Sequence, residues 1–397
     1  MNIGFAATES PYESCGTGGI ASYLRAIIPA LLEAGHRVTL FAGARETQTF
    51  LAEGERVEVY HIKLPSMHWY ASRVPLARQI IPLPLRQIEW SVAFYRLIAS
   101  VTRKRKLDVL ECTETGALFL NRIAPVVVRL HGSELTFRKY AELPINLSVR
   151  LNELLESRSC DRAQAVTSPS TAQASEIIRR RSWSPDRIRV IPNPISADML
   201  KAASEHKPTN DVGLEHWALY AGRLAPVKGI EPLLESAKRI HDSFPNVTFV
   251  FAGPWQMPHP PEMYDLELNR RSKHGVLWIG PQQPSQLIEW YRRADVFVMP
   301  SYYETFGIGV VEAMAFGFPV IATRSGGLPE VVEDGVTGIL VQPGDSEALA
   351  AAISHLLNEP ELRQRMGKAG RERVLADFTV GQVLPPTLQV YQSLSRN

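Results

Sequence analysis

Apolar and polar positions alternate in two registers along the chain. Residues 2–7 (NIGFAA) form a short apolar run. Ile20, Tyr23, Leu24, Ile27, Ile28, Leu31 and Leu32 then recur at helical spacing until Gly35, and RVTLFA at 37–42 is a second run. Strand, amphipathic helix, strand is the pattern of a βαβ unit, which implies a parallel sheet. Further strands are predicted at 57–62, 109–112, 126–130, 165–167 and 188–191, giving six or seven with helices between them. Residues 192–216 break the rhythm with prolines, polar residues and charges, the composition expected of a hinge. The alternation then restarts, with strands predicted at 217–221, 247–252, 276–279, 296–299 and 320–322, and helices near 230–242, 285–293, 309–316 and 346–357. The expected class is α/β, two doubly wound Rossmann-like domains facing across a cleft, with ligands beyond the carboxyl ends of the strands.

Composition narrows this picture. The 397 residues, 45% apolar and 21% charged, exclude a single small module and a largely disordered chain. A net charge of +2 conceals an asymmetry: 25 Lys/Arg against 18 Asp/Glu before residue 195, and 18 against 23 after it. Arg73, Arg78, Arg86, Arg96, Arg103, Lys104, Arg105 and Lys106 share a stretch whose one acid is Glu89, suiting either an anionic surface or a solvated helix face. Cys15, Cys112 and Cys160 are far apart, which supports neither a disulfide framework nor a zinc site. The N-terminus lacks a basic region followed by an apolar run, and no 18 consecutive residues are apolar, so a cytoplasmic, non-spanning protein is expected. The balanced total charge and the lack of a recognised module disfavour nucleic acid.

Five segments can carry chemistry. GTGGIA at 16–21 matches the dinucleotide fingerprint. Against nicotinamide binding, the loop from Ala7 is long and the strand VTLFAG has no acid near its end for a ribose. What remains is that Gly18 and Gly19 lack Cβ, so their amides can approach an anion; the alternative is a tight turn. AGRLAPVKG at 221–229 places Arg223 and Lys228 in one short loop, suited to a diphosphate or simply solvated. In PSYYETFGIGVVEAMAFG, Glu304 precedes a helix whose first turn or so holds Glu312 among apolar neighbours, where a carboxylate needs strong donors such as ribose hydroxyls. His131 follows an apolar strand in HGSE, a hydrogen-bonding partner or a structural histidine. SGGLPE at 325–330 is either a binding turn or only a turn.

In combination and in this order, the glycines at 18–19, HGSE at 131–134, GRLAPVKG at 222–229, Glu304 and Glu312 in E-x7-E spacing, and SGGLPE resemble the retaining glycosyltransferases of family four, with the GT-B fold. AFGFPVIAT and EDGVTGILVQPGD are similar to that family's donor domain. The resemblance implies an acceptor-side domain at 1–194, a donor domain at 195–376, and a segment at 377–397 crossing back to the first domain, with a kink expected at Pro385 and Pro386. It implies a nucleotide diphosphate sugar as donor, UDP or GDP being unresolved, with no cofactor and no bound metal. By that carry-over Arg223 and Lys228 grip the diphosphate, Glu312 binds the ribose, and Glu304 and His131 lie by the transferred sugar. Gly18 and Gly19 and the amides of Phe306, Gly307 and Ile308 add donors. His131, Glu304, Arg223 and Lys228 form the expected catalytic set.

The acceptor expected is a sugar or lipid-linked glycan of cell-surface polysaccharide assembly. Residues 65–106 mix bases with Trp69, Tyr70, Ile80, Ile81, Leu83 and Trp90, as a protein on the inner face of an anionic membrane would. The alternatives are a soluble glycosyltransferase acting on a small molecule or free glycan, a non-catalytic nucleotide-sugar binding protein, and a sugar-nucleotide epimerase of the same fold.

Overall fold

The computed structural model describes residues 1–13, 18–63, 80–103, 105–206 and 216–395. The chain divides into two units: Met1–Pro192 with Val383–Asn397, and Asn193–Gln382.

In the first unit the strands are β1 (Asn2–Ala7), β2 (Arg37–Ala44), β3 (Gln48–Ala52), β4 (Val57–Lys63), β5 (Val109–Thr113), β6 (Val126–Arg129), β7 (Ala165–Ser168) and β8 (Ile188–Val190). They lie in the order β3-β4-β2-β1-β5-β6-β7-β8. Every neighbouring pair is parallel except β3–β4. The sheet thus has eight strands rather than the six or seven predicted. The unforeseen one, β3 (QTFLA), is an antiparallel edge strand with mostly exposed side chains. An edge strand needs no continuous apolar run.

The second unit contains β9 (His216–Ala221), β10 (Val247–Ala252), β11 (Val276–Gly280), β12 (Val296–Met299), β13 (Val320–Thr323) and β14 (Gly338–Val341), in the order β11-β10-β9-β12-β13-β14. All its pairs are parallel. The central strands VTFVFA, VFVM and VIAT are buried throughout, as a sheet covered on both faces requires. β14 was missed because GILV is a four-residue apolar run between turns. The helix Ile230–His241 buries Ile230, Leu233, Leu234, Ala237 and Ile240 on one face and exposes Glu231, Glu235, Lys238 and Arg239 on the other.

The segment read as a hinge is not irregular throughout. A helix at Ala197–Glu205 begins where the Ser196 hydroxyl accepts the Met199 amide at 3.3 Å, and it buries Met199, Ala202 and Ala203. Polar composition hid three buried positions; residues 207–215 lie outside the described residues. The kink expected at Pro385 and Pro386 falls inside a helix. The helix Val380–Ser395 continues through both prolines, with Val383, Thr387, Val390 and Tyr391 buried. Tyr391 donates its hydroxyl to Glu111 Oε2 on β5 at 2.7 Å, tying the chain end to the first unit. Burial of this face offsets the two lost backbone donors.

Strand order reverses beside β1 in the first sheet and beside β9 in the second. At such a point neighbouring loops leave the sheet in diverging directions and open a crevice, the preferred ligand position in this class of sheet.

Candidate active site

At the switch point of the second unit, the loops after β9 and β12 are stitched together. Gly229 adopts a left-handed conformation (φ 66°), and a Cβ there would lie 2.0 Å from the Pro300 carbonyl oxygen. The Tyr302 amide donates to the Val227 carbonyl at 2.8 Å. From the core below, Tyr220 donates its hydroxyl to the Arg223 carbonyl at 2.7 Å. This backbone contact brings Lys228 Nζ within 2.5 Å of Glu304 Oε1, with side chains only 11% and 12% exposed. The Ser301 hydroxyl donates to the same oxygen at 3.2 Å. Arg223 is half-buried, and its guanidinium has no ion-pair partner among the described residues.

SGGLPE has a definite structural role. Gly326 sits at φ 56°, where a Cβ would approach the Glu304 carbonyl oxygen to 1.9 Å, and the Gly327 amide donates to that oxygen at 2.9 Å. The loop after β13 therefore fixes the backbone that presents Glu304.

Glu312 is the fifth residue of the helix Ile308–Ala315 and is half-buried, with Val310, Val311, Ala313, Met314 and Ala315 buried around it. Its partner, which sequence reasoning missed, is Tyr291. That hydroxyl donates to Glu312 Oε2 at 2.9 Å. The Tyr291 ring is buried and stacks on Phe316 at 5.2 Å and 15°. Burial first, then the Glu312 charge, push this phenol well above its ordinary pKa, so it stays a donor. No local motif marks Tyr291, because its pairing is set by the fold. Gly307 caps the helix at φ 97°, and Ile308 is its first residue. Phe306 packs its buried ring edge-on against Phe378, so its side chain belongs to the core and only its backbone can serve a ligand.

In the first unit, His131 follows β6 and is half-buried. A second residue missed from the sequence, the buried Glu114 after β5, accepts the His131 amide at 3.2 Å and the Gly132 amide at 3.0 Å. Burial, with the nearby Arg129 charge, pushes the His131 pKa down to about 3. The ring is therefore neutral near pH 7 and can donate or accept a hydrogen bond but carries no charge. Tyr23, from the helix Gly19–Glu33, lies beside it with ring centroids 6.0 Å apart.

Gly18 caps that helix and Gly19 opens it, while Gly16 and Thr17 lie outside the described residues. A Cβ on Gly18 would fall 1.9 Å from Glu9 Oε2, and the same oxygen accepts the Ala21 amide at 3.4 Å. The helix end read as an anion site is thus bordered by a carboxylate of the chain itself.

Part of the basic stretch, including Arg73, Arg78, Lys104, Trp69 and Tyr70, lies outside the described residues. Within the rest, Trp90 is half-buried: its ring packs against the core with the Arg86 guanidinium 5.9 Å from its centroid, and Glu89 is buried. Arg105 pairs with Glu58 at 2.7 Å. Cys112 and Cys160 are buried free thiols, and Cys15 lies outside the described residues. Among the described residues no three His, Cys, Asp or Glu side chains are grouped to hold a metal, and no helix is long and apolar enough to cross a membrane.

Two doubly wound units of this kind define the GT-B class. Residues 17–199 match the family model described as Glycosyltransferase Family 4, and residues 204–373 match Glycosyl transferases group 1. The chain is 31% identical over 289 residues to the alpha-maltose-1-phosphate synthase of Mycolicibacterium smegmatis, covering 68% of this chain and 73% of that protein. It is 34% identical over 213 residues to the glycogen synthase of Mycobacterium tuberculosis, covering 53% of this chain and 49% of that protein, about half the relative's length. The solved sucrose-phosphate synthase of Thermosynechococcus elongatus superposes with a TM-score of 0.75 at 24% identity, covering 99% of this chain and 98% of that one. The chain belongs to the group 1 glycosyltransferases.

Proposed function

We propose that this protein transfers a sugar from a nucleotide diphosphate sugar to a glycan acceptor, with retention of anomeric configuration and without a bound metal. The observation that carries this reading is the convergence at the switch point of Glu304, from the loop after β12, with Lys228, which shares the loop after β9 with Arg223. Negative charge grows on the diphosphate as its bond to the sugar breaks. A guanidinium fork and an ammonium stabilise that charge, the work a divalent ion does in other enzymes. Glu312, steadied by Tyr291, accepts from the ribose hydroxyls. Glu304 orients the transferred sugar. The amides of Phe306, Gly307 and Ile308 add donors. The leaving phosphate takes the acceptor's proton, so no side-chain nucleophile is assigned.

The test is product formation from UDP-, GDP- and ADP-sugars, with and without EDTA, using wild-type protein and Glu304→Gln. Donor-dependent transfer or donor hydrolysis that survives EDTA and falls by orders of magnitude in the variant supports the reading. Binding without either reaction would favour a non-catalytic nucleotide-sugar protein, and donor isomerisation without an acceptor would favour an epimerase.

For the acceptor, the reading is a lipid-linked or cell-surface polysaccharide intermediate met at the inner membrane face. Its support is a set of exposed aliphatic residues on two neighbouring helices of the first unit. Ile81 precedes Pro82–Thr102, which carries Ile88, and Leu147–Arg162 carries Leu147 and Leu154; these four are 42–52% exposed. The helix starts are joined by the Leu83 amide donating to Ser148 Oγ at 3.2 Å, and the exposed Arg150 and Arg158 lie on the second helix. Sedimentation with acidic liposomes at low salt, lost in Ile88→Glu/Leu154→Glu, is the expected result. Retention of transfer to a free glycan with no liposome binding would favour the soluble alternative.

A further inference from the structure

Lys228, a cation assigned to the diphosphate, is paired with a carboxylate of the chain itself. The Glu304 carboxylate lies 2.5 Å from Lys228 Nζ, and both side chains are largely withdrawn from water. Arg223 on the same loop has no ion-pair partner among the described residues. The two cations therefore start from different states: one is open to an incoming anion, and the other is neutralised by a charge-assisted hydrogen bond.

We infer that Glu304 is an exchangeable counter-ion for Lys228, displaced from the ammonium when the donor's diphosphate arrives and restored when the nucleoside diphosphate leaves. This rests on the reading of Lys228 as a diphosphate ligand and adds a role in product release. The ammonium cannot keep its short contact with the carboxylate while giving its full charge to a phosphate oxygen. With donor bound, the sugar's hydroxyls offer the freed Glu304 carboxylate new hydrogen-bond donors, which offsets the broken ion pair. With the free nucleoside diphosphate no sugar is present, so the carboxylate competes for Lys228 without compensation. The same pair thus weakens the retention of product more than that of substrate. The Gly326 and Gly327 contacts to the Glu304 carbonyl hold the backbone still, so that only the side chain has to move.

The experiment is a double-mutant cycle read by calorimetric titration of the full chain with free UDP, GDP and ADP. The nucleotide that binds wild-type protein is then carried through Glu304→Gln, Lys228→Ala and the double variant. Glu304→Gln should bind that nucleotide about tenfold more tightly than wild type while losing transfer activity. In the Lys228→Ala background the same substitution should change affinity less than about twofold, because the competing contact is already gone. Equal tightening in both backgrounds would show general repulsion of the anion and overturn the exchange, and so would no tightening in a folded Glu304→Gln. If that variant does not fold, Glu304→Asp, which withdraws the carboxylate by one methylene, is judged by the same criterion. Lys228→Ala alone separates the two levels of the account. Undiminished nucleotide affinity in it would remove the assignment of Lys228 to the diphosphate, whereas weakened affinity with no tightening in Glu304→Gln would remove the exchange alone.

Discussion

Tyr291 and Glu312 are joined by a part-buried hydrogen bond of 2.9 Å, in which the phenol donates to a carboxylate held on a helix of apolar neighbours. The tyrosine cannot ionise at working pH, so it satisfies one lobe of Glu312 permanently and sets the direction of the other. Tyr291→Phe should weaken donor binding about tenfold, the typical loss of a hydrogen bond to a charged group. It should also reduce discrimination between a nucleoside diphosphate and its deoxyribose analogue. Titration of both ligands against both proteins checks this; unchanged discrimination would leave Tyr291 a packing residue.

Arg223 and Lys228 are not interchangeable. A planar fork can hold two diphosphate oxygens where an ammonium holds one point of charge. Arg223→Ala is expected to lower kcat/KM by about two to three orders of magnitude, and Arg223→Lys to recover only a small part. Full recovery by lysine would show that charge alone is used.

Gly326 supports Glu304 by a close approach that no Cβ permits. Gly326→Ala combines a left-handed backbone with a collision against the Glu304 carbonyl, and should cost about 1–3 kcal/mol of stability. Turnover should fall with it, since Glu304 must shift. A thermal unfolding scan beside a transfer assay measures both; a fully active variant with normal melting would contradict the packing described.

The His131 pKa lies at about 3, below the ordinary value of 6.5, so only the unfolded chain binds this proton between those limits. The contribution is therefore complete above pH 6.5 and declines as pH falls towards 3. His131→Asn should remove up to about 2 kcal/mol of the stability lost between pH 7.5 and 5. Urea midpoints at the two pH values decide it: an unchanged difference would mean that the imidazole titrates normally.

Much of this site was legible in the chain because its pieces are local. Glycines that bring loops together, a cation pair in one turn and two acids eight residues apart leave marks in a linear sequence. Partners set by tertiary placement left none. Tyr291 meets Glu312 across 21 positions, and Glu114 meets the His131 loop across 17. Glu9 reaches the helix of Gly18 and Gly19 from beyond a loop. The fold shows the same division. Buried parallel strands such as VTFVFA are apolar throughout and easily read, whereas edge strand β3 satisfies only one neighbour and needs no such run. The helix Ala197–Glu205 was hidden by polar residues covering its three buried positions.

The central claim is that Arg223 and Lys228 bind the diphosphate of a nucleotide sugar. Calorimetric titration of UDP, GDP and ADP into wild-type protein and into Arg223→Ala/Lys228→Ala, in EDTA throughout, tests it most directly. At least one nucleotide should bind the wild type, and its affinity should fall by about a hundredfold or more in the folded double variant. Equal affinity in the two proteins would contradict the account.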